Sequence, residues 1–188
     1  MKNYALYYSY KGIGDVVIVM FDNKKATRSE NKGRVTVIYN GDEIIGYNIF
    51  NVKEIIKIKN EGMIYYPNPA LVEVLNTMLI NEGVEPLEIL NESGYVAAEV
   101  ISKDNELVTL SLGDKNVTAK AELNNGDKVV VATLDTHLYD GTIVRQDEKT
   151  NAHVCTYKEL GIKVEVDKIL LLDEDAEIGK DFFSSEVR

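Results

Sequence analysis

"NVTAKAELNNGDKVVVATL", residues 116–134, holds two runs rich in β-branched residues on either side of Asn124-Asn125-Gly126-Asp127. The runs "NVTAKAEL" (116–123) and "KVVVATL" (128–134) read as strands, and the four turn-forming residues between them read as their connection. The pattern continues outward. Upstream lie "YVAAEVI" (95–101) and "ELVTLSL" (106–112), with Gly113-Asp114 as a further turn signal, and downstream lies "KILLL" (168–172).

Five short strands at close spacing, with only "CTYKELG" (155–161) as a brief helical candidate, predict a small closed barrel. The length available, residues 93–188, suits a five-stranded OB-type barrel.

Residues 1–92 read differently. "YALYYSY" (4–10), "DVVIVMF" (15–21), "RVTVIY" (34–39) and "EIIGYNIF" (43–50) predict an antiparallel sheet, with Asn40-Gly41 as a tight hairpin turn. One helix then has a complete set of signals: Asn68 to cap it, Pro69 at its first position, an apolar stripe of Leu71, Val74, Leu75, Met78 and Leu79, and Gly83 to end it. It is expected to cover one face of the sheet. The stretch "EGVEPLEILNESG" (82–94) separates this N-terminal α+β domain, 1–92, from the barrel domain, 93–188. The expected class is therefore α+β, mostly β.

Composition narrows the function classes. Hydrophobic residues make up 45% and charged residues 28%, the balance of a folded globular chain rather than a disordered one. No apolar run reaches the ~18 residues of a membrane span, and "MKNYALYYSYKG" lacks the apolar core of a secretory signal, so the expected location is cytoplasmic, away from membranes. Net charge is −10, divided as −2 over residues 1–92 (10 basic, 12 acidic) and −8 over 93–188 (11 basic, 19 acidic). Phosphate binding depends on Lys and Arg, so the second half as a whole is a poor general nucleic-acid surface, and any RNA contact there needs a local basic patch.

Sites of chemistry are few. "HVCTYKELG" (153–161) places His153 two residues before Cys155, the only cysteine, so in an extended segment both side chains point to one side. A zinc site wants four ligands, and the only other His or Cys is His137. The favoured reading is structural, with Cys155 packed as a small apolar residue and Thr156 capping a short helix over 156–161. Gly12-Ile-Gly14 precedes a strand rather than a helix and reads as a turn, not a phosphate loop. The acidic run "DEDAEIGKD" (173–181) does not set a glycine and a terminal glutamate at calcium-loop spacing from its first aspartate and reads as a solvated rim. No acid–base or nucleophilic set emerges, so no enzyme, metal or cofactor is expected. Eight of the eleven tyrosines lie in 1–92, with Tyr4, Tyr8 and Tyr10 on one side of a regular first strand, which suits a core or a dimer contact better than base stacking.

Two segments carry a resemblance. Thr150-Asn151-Ala152-His153-Val154-Cys155-Thr156-Tyr157-Lys158-Glu159-Leu160-Gly161 is similar to the S-x-G-M-x-x-S-x-x-E-L-G signature of the tRNA-binding OB domain appended to methionyl-tRNA synthetases and to the phenylalanyl-tRNA synthetase β subunit, and Gly126 to Ala132 resembles that domain's G-x-K-V-x-V-A strand. Gly12 to Val16 and Gly46 to Asn51 resemble the opening segments of YtpR-like proteins, in which a small domain precedes the same OB domain. The resemblance implies a non-catalytic, tRNA-binding accessory protein. Its phosphate contacts would be Lys103, Lys115, Lys120, Arg145, Lys149 and Lys158, with Thr150 and Thr156 bonding the backbone or a base edge. The departures are a trimmed loop at "ISKDNELV" (101–108), Glu122 in place of an asparagine, and Ala152 and His153 in place of Gly and Met. They motivate the alternative, a barrel whose RNA binding is weak or lost and which meets a protein partner or a second copy of the chain.

Overall fold

The computed structural model describes residues 3–183. The chain forms two compact units, Met1–Asn91 and Glu92–Arg188, each mostly β.

In the first unit the strands are β1 (Ala5–Tyr8), β2 (Val16–Met20), β3 (Arg28–Lys32), β4 (Val35–Asn40), β5 (Glu43–Phe50) and β6 (Gly62–Ile64). They form one six-stranded sheet, ordered β3-β4-β5-β2-β1-β6, and every pairing is antiparallel. The register explains the sequence pattern. Val37, Tyr47, Val19, Leu6 and Ile64 stand opposite one another across five strands, and Val35, Ile49, Val17 and Tyr8 form the next inward row. Residues opposite in an antiparallel ladder share a face, so these rows make one continuous apolar surface. Helix α2 (Pro69–Asn81) packs into the same core with Leu71, Val72, Leu75, Met78 and Leu79. Asn68 Oδ1 accepts from the Leu71 amide at 2.9 Å, as its capping role requires.

Several expectations shift in this unit. The first strand ends at Tyr8, because Ser9 caps a one-turn helix, α1 (Tyr10–Ile13), so Tyr10 leaves the sheet face and is 48% exposed. The β4–β5 turn is Gly41-Asp42 rather than Asn40-Gly41, with positive φ (59°) at Gly41 only. Strand β3, "RSENK", was not anticipated. The stretch after α2 is also not a loose connection, since Val84 and Leu87 are buried in the core.

The second unit comprises β7 (Tyr95–Asp104), β8 (Leu107–Ser111), β9 (Asn116–Lys120), β10 (Lys128–Thr133) and β11 (Ala152–Val154). Their order, β11-β10-β7-β8-β9, is that of a five-stranded sheet rolled into a nearly closed barrel. The last seam is made by Asn151: its amide donates to Thr118 O at 3.0 Å, and its Oδ1 accepts from the Thr118 amide at 2.7 Å. The barrel interior is lined by small and medium residues, with Val117, Leu110 and Val100 in one row and Val96, Val131 and Val154 in another.

The fifth strand is thus 152–154 and not 168–172. "KILLL" instead makes two isolated bridges, Ile169 to Thr156 just after β11 and Leu171 to Val129 on the part of β10 that β11 is too short to reach. Residues 157–161 form a turn rather than a helix. The acidic run does more than solvate a rim. Ala97 donates to Lys180 O at 3.0 Å, and Gly179 and Phe182 donate to Ala97 O and Tyr95 O at 2.8 and 2.7 Å, so 179–182 pairs with the start of β7 where β8 does not extend. Gly179 (φ 86°) is needed there because a Cβ would strike the carbonyl of Leu112.

Candidate functional site

One side of the barrel is covered by the long β10–β11 connection. Strand β10 is buried on both faces from Val129 to Ala132, and Tyr95, beside it, donates its hydroxyl to His137 O at 2.7 Å. The outer face of β7–β8–β9 remains open. Alternation and register place three rows there: Glu99, Ser111 and Asn116; Ser102, Thr109 and Thr118; Asp104, Leu107 and Lys120. The face is rich in hydroxyls. It holds no aromatic ring, since none occurs from residue 96 to 120.

The structure divides the eight residues expected at an RNA site into groups. Lys120, at the end of β9, lies near Asp147 on the β10–β11 connection. Asp147 Oδ1 accepts from the Lys149 and Thr150 amides, both at 2.7 Å, and these bonds hold its carboxyl below the usual range, with a further contribution from the Thr150 hydroxyl and from Lys120. Lys149 O accepts from the Thr118 hydroxyl at 2.8 Å. Lys120, Lys149 and Thr150 are therefore gathered at the β9 edge beside the hydroxyl rows, with Thr150 bound to Asp147.

The others are elsewhere or engaged. Arg145 Nη1 pairs with Asp135 Oδ1 at 2.9 Å. Thr156 Oγ1 donates to Asp167 Oδ2 at 3.0 Å, and the Lys158 amide donates to Asp167 Oδ1 at 3.1 Å, although the Lys158 ammonium is exposed. Lys103 lies on β7 opposite Val108. Lys115, in the β8–β9 turn, lines a groove of about 520 Å³ shared with Glu177 and Asp181. The β7–β8 connection is the two-residue turn Asn105-Glu106, with Asn105 at φ 55°. The loop that often carries ligand contacts in such barrels has no length here.

His153 and Cys155 are parted by burial. The Cys155 amide continues the ladder past β11, donating to Val130 O at 2.9 Å. His153 Nε2 lies 2.8 Å from Glu159 Oε1, while the Cys155 side chain is fully buried and burial pushes its thiol well up. Glu159 Oε2 accepts from the Thr156 amide at 2.8 Å, and Thr156 Oγ1 accepts from the Glu159 amide at 3.4 Å. This is the reciprocal bonding of a capping box, here bracing a turn. Among the described residues no group of three or more His, Cys, Asp or Glu could hold a metal ion, and no helix is long and apolar enough to cross a membrane.

Residues 22–89 match the family described as "Domain of unknown function (DUF4479)", a match that covers most of the first unit and none of the barrel. No curated protein matches the chain.

Proposed function

We propose that the protein is a non-catalytic, YtpR-like RNA-binding accessory protein whose barrel holds structured RNA, such as tRNA, against the outer face of β7–β9. The observation that carries the reading is the OB strand order together with the Thr118–Asn151 seam, which brings Lys120 and Lys149 to the edge of an open, hydroxyl-lined face. That face is where barrels of this order take oligonucleotides. The domain matched over 22–89 is associated with YtpR-like proteins, and the Glu159-Leu160-Gly161 signature supports the same reading.

With two or three cations in reach of phosphates and no ring for stacking, affinity is micromolar or weaker at physiological salt. The slope of log K against log salt is then about −1.5 to −3. Fluorescence anisotropy with labelled tRNA at low and moderate salt tests this. Lys120→Glu/Lys149→Glu abolishes binding, whereas Arg145→Ala, which removes a cation already paired with Asp135, weakens it less. Equal binding by the double variant and the wild type would refute the assigned face.

A second reading, a protein-interaction module, is favoured by a specific observation: Arg145 and Thr156 are both engaged by carboxylates in a half-chain of net charge −8. It takes precedence if wild-type protein binds no tRNA even at low salt.

A further inference from the structure

The first unit contains a pocket of about 150 Å³ that the RNA reading does not use. Three of its walls are aromatic rings: Tyr4 just before β1, Phe21 just after β2, and Tyr47 on β5. Phe21 makes T-shaped contacts with both neighbours, with centroids 6.3 Å from Tyr4 at 78° and 5.1 Å from Tyr47 at 89°. Leu87 adds an apolar surface, and the charged groups of the lining are two carboxylates, Glu85 and Glu88, both on exposed residues.

We propose that this pocket binds a quaternary ammonium group, of the kind carried by choline or by a trimethylated lysine side chain. Rings attract cations through their quadrupoles, and the attraction grows when the cation is desolvated against several rings at once. Size agrees: a cavity of roughly 150 Å³ accepts benzene, with six heavy atoms, and a tetraalkylammonium head has five. Charge agrees too, because Glu85 and Glu88 supply negative potential and, among the described residues, no lysine or arginine lines the pocket.

A fully methylated head is favoured over a primary ammonium because it is more weakly hydrated and so costs less to bring against the rings. The Tyr4 hydroxyl donates to Glu88 O at 2.7 Å, which ties that ring to the acidic rim. Burial, with help from Glu88 and Glu85 respectively, pushes the phenols of Tyr4 and Tyr47 up to about 12, so both stay neutral at physiological pH. The pocket is also held in shape before any ligand arrives. Asn76 on α2 donates to Leu87 O at 2.8 Å and accepts from the Leu87 amide at 2.6 Å, which fixes the 85–88 segment against the helix. A zwitterion such as glycine betaine would bring its own carboxylate toward Glu85 and Glu88 and bind more weakly than choline.

The test is an NMR titration of the full-length, ¹⁵N-labelled protein with choline, its neutral carbon isostere 3,3-dimethylbutan-1-ol, glycine betaine and a trimethyl-lysine peptide. Choline shifts the amides of Phe21, Tyr47 and Leu87 saturably, and the isostere binds at least about tenfold more weakly. Phe21→Leu, which keeps the apolar bulk but removes the ring, weakens choline binding about tenfold with the remaining cross-peaks retained, and Glu85→Gln/Glu88→Gln weakens it several-fold. A peptide tighter than choline assigns the head group to a modified protein, and the reverse assigns it to a free small molecule. Equal affinity for choline and its isostere overturns the proposal in favour of a plain apolar cavity, and so does the absence of saturable shifts with every ammonium probe.

Discussion

The inward rows of the first unit carry Tyr8, Tyr47, Leu6 and Ile49, whereas those of the second carry Ala98, Ala119, Val108 and Val131. The difference follows from geometry. A single sheet covered by one helix leaves a broad gap that large side chains must fill, and the tyrosines fill it while their hydroxyls reach polar partners such as Glu88 O and Asp15. A five-stranded barrel closes around a narrow axis, and alanine is what fits where strands converge. Binding surfaces divide along the same line. The large-residue unit leaves an aromatic pocket between its rings, and the small-residue unit offers its polar outer face and the charged groove beside Lys115.

Removing bulk should therefore hurt the first unit most. Leu75 is fully buried under the sheet, and Leu75→Ala should cost about 2–5 kcal/mol. Urea unfolding followed by tyrosine fluorescence reads this, as eight of the eleven tyrosines belong to residues 1–92. A loss well below that range would mean the sheet and helix collapse together around the missing side chain.

Adding bulk should hurt the barrel. Ala119 is fully buried on β9, opposite Val108. Ala119→Leu should cost about 1–3 kcal/mol and speed amide exchange in β8 and β9. If the variant is as stable as wild type, the barrel axis has spare room and the two cores differ less than their residue sizes imply.

The same contrast sets what was legible in the sequence. Helix α2 and strand β5 match their expected spans because their signals are local: a cap, a proline, an apolar stripe, and an alternating run bounded by turn residues. Strand β3 escaped because "RSENK" is an exposed edge strand with no apolar alternation to detect. The barrel's five-strand count was legible, yet its last strand was misplaced. β11 is only three residues long, and the seam beside it depends on a side-chain amide 33 positions from its partner. The candidate RNA site fared similarly. The candidate residues could be named from sequence, but the carboxylates that engage two of them, Asp135 for Arg145 and Asp167 for Thr156, lie 10 and 11 residues away and carry no local signal. Asp147 is the exception. An aspartate followed by Lys149 and Thr150 is a legible Asx-type turn.

The smallest expected effect tests the turn that began as a question of chemistry. Burial of Glu159 works to raise its carboxyl, but the hydrogen bonds from His153 and from the Thr156 amide outweigh it and hold the group below the usual glutamate range. In the unfolded chain it returns to about 4.3. A carboxyl depressed in the folded state adds stability that is fully present above that value and is lost as pH falls through the folded one. Glu159→Gln keeps an oxygen that can accept from Thr156 but removes the charge, so the variant should be less stable than wild type by about 0.5–1.5 kcal/mol at neutral pH. The gap should shrink steadily below about pH 4.5 as the wild-type carboxyl takes up its proton. Some acid sensitivity should remain in the variant, because backbone bonds also hold Asp140 and Asp147 down, and both lie in the same unit. Urea midpoints measured across a pH series decide the matter. A gap that stays constant from neutral to acid pH would mean that Glu159 braces this turn through its shape alone and that its charge adds nothing.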